Sequence, residues 1–215
     1  MRGLLPHRRL STAGAELASG QTAGVSRKED VPRAGGGSCR GGTAVDVELK
    51  GWARTSLIDF QDHIATVLFT GGCNFRCPIC HNCDLVLRPG ELPDLSEAEV
   101  WAFLARRRGL VDGVVITGGE PTLQPDLIPF LRRLREQGLD IKLDTNGYRP
   151  DVLERLLSAG LVDYVAMDVK APPEKYPLLA GRADVDVALV QRSIGLLRDS
   201  GVLYEFRTTV VPGLL

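Results

Sequence analysis

A chain of 215 residues, 44% apolar and with a formal net charge of −1, is long enough for one domain with a sizeable core and carries no excess of either sign. The first fifty residues hold eight Lys or Arg against five Asp or Glu, leaving the other 165 at about −4, so nothing suggests a nucleic-acid surface. No stretch approaches the roughly 18 apolar residues of a membrane span, and "MRGLLPHRRL" lacks the apolar run of a secretory signal, which predicts a soluble cytoplasmic protein.

Residues 1–44, of which "AGGGSCRGG" is typical, have no aromatic residue and no sustained apolar period, and are expected to form a disordered N-terminal extension. Their Arg and Ser content resembles an organelle transit peptide only faintly. Cys39, within them, is given no role.

A core domain is expected over 45–215. "IATVLFT" (64–70) is a short β-branched run ending in two glycines, as a buried strand does. "DLSEAEVWAFLARRRG" follows, with Ser96 and Glu99 spaced as a capping box ahead of an amphipathic helix that stops at Gly109. "GVVIT" (113–117) is the next strand, and "PDLIPFLRRLREQG" a helix with Pro125 in its first turn and Gly138 at its end. "DIKLDT" (140–145) is a third strand, followed by a helix in "PDVLERLLSAG". The fourth strand is "DYVAMDVK", and after a helix near 185–200 the fifth is "LYEFRTTVV" (203–211). Strands separated by helices of this length require crossovers and predict an α/β fold with a parallel sheet, a barrel or partial barrel. The chain stops at "VVPGLL" without a helix to cover the fifth strand, so a truncated domain is expected. In such folds functional residues sit where strands end. "TGGCN", "TGGEPT", "DTNG" and "MDVKAP" all fall there.

Four of the five cysteines lie within eleven positions. In a reducing compartment they are ligands or redox groups rather than disulfides. Cys73, Cys77 and Cys80 have the spacing C-x3-C-x2-C, which can give three thiolates to an iron–sulfur cluster and leave a fourth iron without a protein ligand. Cys83 follows at C-x2-C and offers the alternative of a closed four-cysteine zinc or iron–sulfur site. One continuous stretch is cramped for that, since zinc sites usually pair two separated knuckles.

"CNFRCPIC" together with "GGEPT" resembles the radical S-adenosylmethionine superfamily. The longer string "TGGCNFRCPICHN", with "SLIDF", "DTNG" and "MDVK", is similar to the activating proteins of glycyl-radical enzymes, particularly those of anaerobic ribonucleoside-triphosphate reductase. The resemblance covers residues 50–215. It implies a partial (β/α) barrel of radical SAM type in which Cys73, Cys77 and Cys80 hold a [4Fe-4S] cluster whose fourth iron is chelated by S-adenosyl-L-methionine (SAM). It further implies that Gly118, Gly119, Glu120 and Pro121 line the methionine of SAM, the glycines by allowing close backbone approach and Glu120 by accepting from its ammonium. Asp144, Thr145 and Asn146 are implied to contact the ribose or carboxylate region. Lys170, which shares a face with Asp168, is implied to pair with the carboxylate; an ordinary strand-end ion pair is the other reading. The implied chemistry starts with one electron from flavodoxin or ferredoxin. Cleavage of SAM then gives methionine and a 5′-deoxyadenosyl radical, which removes a hydrogen atom from a glycine of a partner glycyl-radical enzyme. No acid or base is required, so none is assigned.

Two positions depart from the family pattern. Ile79 stands where an aromatic residue usually packs on adenine, and Cys83 stands where the string "CHN-P-x-L" has proline, which makes Cys83 a bystander thiol. His81 and Asn82 are expected in hydrogen-bonding or helix-start roles, and His63 has no evident partner. A small-molecule radical SAM enzyme resembling 7-carboxy-7-deazaguanine synthase shares the three-cysteine and GGEP elements and is the second reading. The third is a non-catalytic metal-binding interaction module.

Overall fold

The computed structural model describes residues 47–213; the expected tail over 1–44 and Cys39 lie outside them. The described residues form one six-stranded sheet in sequential order: β1 (Leu49–Ser56), β2 (Ala65–Thr70), β3 (Gly113–Gly118), β4 (Asp140–Thr145), β5 (Tyr164–Asp168) and β6 (Leu203–Arg207). β2 to β6 are parallel. They correspond to the five expected strands, the last two ending earlier than the sequence suggested.

β1 was not expected. It pairs antiparallel with β2 and is bulged at both ends. Its sequence "LKGWARTS" has a glycine near its start and buries only Leu49 and Ser56 fully, so no clean two-residue period marks it.

The helices are α1 (Cys83–Leu87), α2 (Glu97–Arg106), α3 (Leu127–Glu136), α4 (Pro150–Ser158), α5 (Tyr176–Ala180) and α6 (Val187–Ser200). Ser96 does cap α2, accepting from Ala98 N at 3.2 Å. Glu99 N goes instead to the Ser96 carbonyl at 3.0 Å, so the expected box is not closed through the Ser96 side chain. α3 starts at Leu127 and leaves Pro125 outside its first turn, because the preceding Gln124 is buried and tied elsewhere: its amide donates to Gly71 O (2.9 Å) and accepts from Glu48 N (2.9 Å).

Sequential order without a reversal means that the crossovers cover one face of the sheet, as in a barrel rather than a doubly wound fold. On that face Leu68, Ile116, Leu143 and Met167 pack with Phe130, Leu131, Leu134 and Leu153 of the helices. Each fully buried side chain of this size contributes about 1.5–3 kcal/mol. The opposite face begins as a small apolar cluster of Phe60, Ala65, Val67 and Val115. Toward the carboxyl ends of the strands it turns polar, at Thr117, Asp144, Asp168 and Arg207.

At the other end of the sheet His63 has partners after all. Its ring stacks on Phe60 with centroids 3.9 Å apart, Nδ1 lies 2.7 Å from Gln61 O, and Nε2 lies 3.1 Å from Asp140 Oδ2. Both nitrogens face acceptors, which only the imidazolium satisfies. Burial lowers the pKa of His63, but the Gln61 carbonyl and the Asp140 and Asp112 carboxylates outweigh it and hold the value above the ordinary 6.5. A raised folded-state value means that stability is fully present below the unfolded value and is lost as pH rises through the folded one. Thermal unfolding is expected to fall to lower temperature above about pH 6.5, and His63→Gln should flatten that dependence.

Candidate active site

The cysteine loop follows β2 and is held from three sides. Gly72 N donates to Leu85 O (2.9 Å) and Gly72 O accepts from Glu120 N (2.8 Å), which lashes the loop to α1 and to the end of β3. Arg76 N donates to Ala180 O at 2.8 Å. The residue after α5, Gly181, is in the left-handed region (φ +60°), and a Cβ there would stand 1.9 Å from Arg76 O. Phe75, almost fully buried, anchors the loop from beneath against Tyr148 and Tyr176 at centroid distances of 5.1 and 6.4 Å.

This fixation brings Cys73, Cys77 and Cys80 to the wall of one cavity of about 220 Å³ at the carboxyl ends of the strands. All three are half-buried, whereas Cys83 lies on α1, is exposed and does not line the cavity. Burial pushes the Cys73 thiol up to about 11. It also raises Cys77, against the lowering effect of the Lys170 ammonium. Among the described residues no three His, Cys, Asp or Glu side chains converge on one point as a single metal ion requires. Three thiols on one cavity wall, with Cys83 outside it, are a donor set that fits an iron–sulfur cluster taking one protein ligand per iron.

Of the residues implied to contact SAM, Gly118, Gly119, Asp144, Thr145, Asn146, Asp168 and Lys170 line the same cavity, and Ile79 joins them. Glu120 and Pro121 do not. Both are buried, and the Glu120 carboxylate points inward. Its Oε1 accepts from Thr145 Oγ1 (2.7 Å), Thr122 N (3.1 Å) and the Thr122 hydroxyl, and its Oε2 accepts from Asn146 N at 2.7 Å. It therefore ties the end of β4 to the loop after β3 and has its lone pairs engaged within the protein. Burial raises its pKa, opposed by the bonds from Asn146 and the two threonines.

The two glycines also have a different immediate reason from ligand approach. A Cβ on Gly119 would lie 1.9 Å from Gly72 O, and one on Gly118 (φ +113°) 2.4 Å from Thr70 N. The ends of β2 and β3 are in backbone contact there, and no side chain fits between them. Asn82, in its expected hydrogen-bonding role, donates to Gly118 O at 3.0 Å.

A charged row crosses the cavity floor. Lys170 Nζ pairs with Asp168 Oδ2 at 2.8 Å. Arg207, opposite Asp168 in the β5–β6 register, reaches Asp168 Oδ1 (3.0 Å) and Asp144 Oδ2 (3.4 Å). The Asp144 pKa is raised by burial, against the Arg207 and Lys142 charges. Its Oδ1 is buried with no hydrogen bond of good geometry among the described residues, although the Thr117 hydroxyl beside the carboxylate also helps to lower its pKa. A buried acceptor without a donor, on the wall of a cavity, is where an ammonium or hydroxyl of a bound molecule would be satisfied. Arg207 was missed in sequence reading. Its signal was the alternation of Glu205 and Arg207 toward one face of an otherwise apolar strand.

Among the described residues no helix is long and apolar enough to cross a membrane. Residues 67–214 match the family model described as the Radical SAM superfamily. A protein of Methanocaldococcus jannaschii named as a glycyl-radical enzyme activating enzyme is 36% identical over 174 residues, 78% of this chain and 70% of its own length. The pyruvate formate-lyase-activating enzyme of Clostridium pasteurianum is 35% identical over 157 residues, 70% of this chain and 63% of its own. The structure of native anSMEcpe with bound AdoMet aligns at a TM-score of 0.48 and 19% identity, over 63% of this chain and 41% of that one. The family uses a [4Fe-4S] cluster and SAM, and the three-cysteine wall and the unpartnered Asp144 oxygen fit those groups. Sequence motif, strand-end placement and relatives thus converge: the chain belongs to the radical SAM superfamily and, within it, to the family of glycyl-radical enzyme activating enzymes.

Proposed function

We propose that the chain binds a [4Fe-4S] cluster through Cys73, Cys77 and Cys80, binds SAM in the adjoining cavity, and generates a glycyl radical on a partner enzyme in the cytoplasm. The partner favoured by the sequence is anaerobic ribonucleoside-triphosphate reductase, and flavodoxin or ferredoxin is the electron donor. The observation that carries this reading is that three cysteines of one loop line a cavity shared with Gly118, Asp144, Asn146 and Lys170, while Cys83 is turned to solvent. When bound, the cluster supplies one-electron reductive cleavage of SAM.

The chain's own residues bind, orient and exclude water. Lys170, already paired with Asp168, offers an ammonium to a carboxylate of the ligand. Asp144 Oδ1 offers an acceptor to its ammonium or a hydroxyl, and Ile79 gives adenine an aliphatic rather than aromatic surface. Arg207 bridges the two carboxylates of Asp168 and Asp144 and sets a positive charge between them. Glu120 acts through Thr145 and Asn146 rather than on the ligand. No side chain has to move a proton.

With the chain reconstituted anaerobically, reduced and given SAM, anaerobic ribonucleotide reductase is expected to develop a glycyl EPR doublet alongside release of 5′-deoxyadenosine. Pyruvate formate-lyase in its place is expected to give none. Deoxyadenosine without a doublet on either protein would move the reading to a small-molecule substrate. The chain spans 60–70% of the length of the relatives named as activating enzymes that it matches over most of its length.

A further inference from the structure

Asn146 is the one residue of the "DTNG" turn whose side chain reaches the cysteine loop. It is only 6% exposed. Its amide oxygen accepts from Tyr148 N at 2.9 Å, two residues along its own turn. That bond fixes which end of the amide is which: the NH2 group must face the other way, toward the cysteine loop. There Nδ2 lies 2.7 Å from Asn74 Oδ1 and 3.8 Å from Cys73 Sγ. Asn146 N is held by the buried Glu120 carboxylate, so backbone and side chain are both locked. Cys73 Sγ also receives Phe75 N at 3.4 Å. As a thiolate it gives up its own proton and becomes an acceptor only, so both N–H groups then converge on one sulfur.

We propose that Asn146 is a positioning residue of the cluster: its amide N–H donates to the Cys73 thiolate, withdraws electron density from that corner and makes the cluster easier to reduce. This rests on the assignment of Cys73 as a cluster ligand. Hydrogen bonds to cluster sulfurs are one of the levers by which a protein sets reduction potential. The same amide also joins the cysteine loop to the turn after β4 through Asn74, so one side chain touches both the Cys73 sulfur and the wall of the cavity.

The test is an EPR-monitored redox titration of the reconstituted full chain, without SAM, in wild type and Asn146→Asp, with iron and sulfide measured on both. Aspartate keeps the shape but replaces the donor by an acceptor. About four irons should be retained in the variant, and the reduction equilibrium should shift toward the oxidised state by roughly tenfold, about 59 mV for one electron. An unchanged potential at full iron content would overturn the proposal. If Asn146→Asp fails to keep iron, Asn146→Leu, which removes the donor without adding charge, decides: full iron with a lowered potential supports the proposal. Loss of iron in both variants would overturn it, since the amide would then build the site rather than tune it. A wild-type chain that takes up no cluster would sink the ligand assignment itself, which is a separate failure.

Discussion

Cys77→Ala is expected to leave the chain without a stable [4Fe-4S] cluster and with no 5′-deoxyadenosine release, and Cys73→Ala and Cys80→Ala should behave alike. Cys83→Ala should retain about four irons and the full rate. The contrast follows from placement. Cys73, Cys77 and Cys80 are half-buried along one cavity wall, on a loop pinned at Gly72, Arg76 and Phe75. Removing one thiolate would leave only two cysteines on that wall to hold the cluster, since Cys83 lies outside it. Cys83 sits on a five-residue helix outside that wall and is exposed. Iron and acid-labile sulfide on the four purified variants check the ranking. A Cys83→Ala variant that lost iron along with the others would restore a closed four-thiolate site.

Glu120→Ala is expected to be the most damaging substitution outside the cysteines, although Glu120 lines no part of the cavity. Its carboxylate takes donors from Thr122, Thr145 and Asn146 in a fully buried setting. Alanine strands those donors, each at about 1–3 kcal/mol, for a loss on the order of 3 kcal/mol or more. Glu120→Gln keeps the volume but sets an NH2 group against one set of donors, and should lose less. Urea unfolding of the apo proteins measures both. If Glu120 instead met the ligand alone, Glu120→Ala would weaken SAM binding at nearly unchanged stability.

Much of the site was legible because its chemistry is local. The C-x3-C-x2-C spacing lies on one loop, "GGEP" follows the β-branched run "GVVIT", and "DTNG" and "MDVK" end short segments that alternate with helices. The roles within those motifs were less so, since they depend on contacts between segments far apart in sequence. That Glu120 faces Thr145 and Asn146, that Gly119 meets Gly72, and that Arg76 rests on Ala180 and Gly181 are properties of how loops from different strands meet. β1 stayed hidden because Gly51 and two bulges break its alternation. Arg207 stayed hidden because its alternation with Glu205 marks a polar strand face but does not reveal that Asp144 and Asp168 await it across the sheet.

The proposed function requires a cluster with one iron free of protein ligands and SAM bound in the adjoining cavity. The most direct measurement is the EPR spectrum of the reduced, reconstituted Cys83→Ala chain with and without SAM. A cluster signal whose g values change on adding SAM, in a variant with only three cysteines in the loop, is the predicted result. A signal indifferent to SAM, or a chain that binds one zinc and no sulfide, would contradict it.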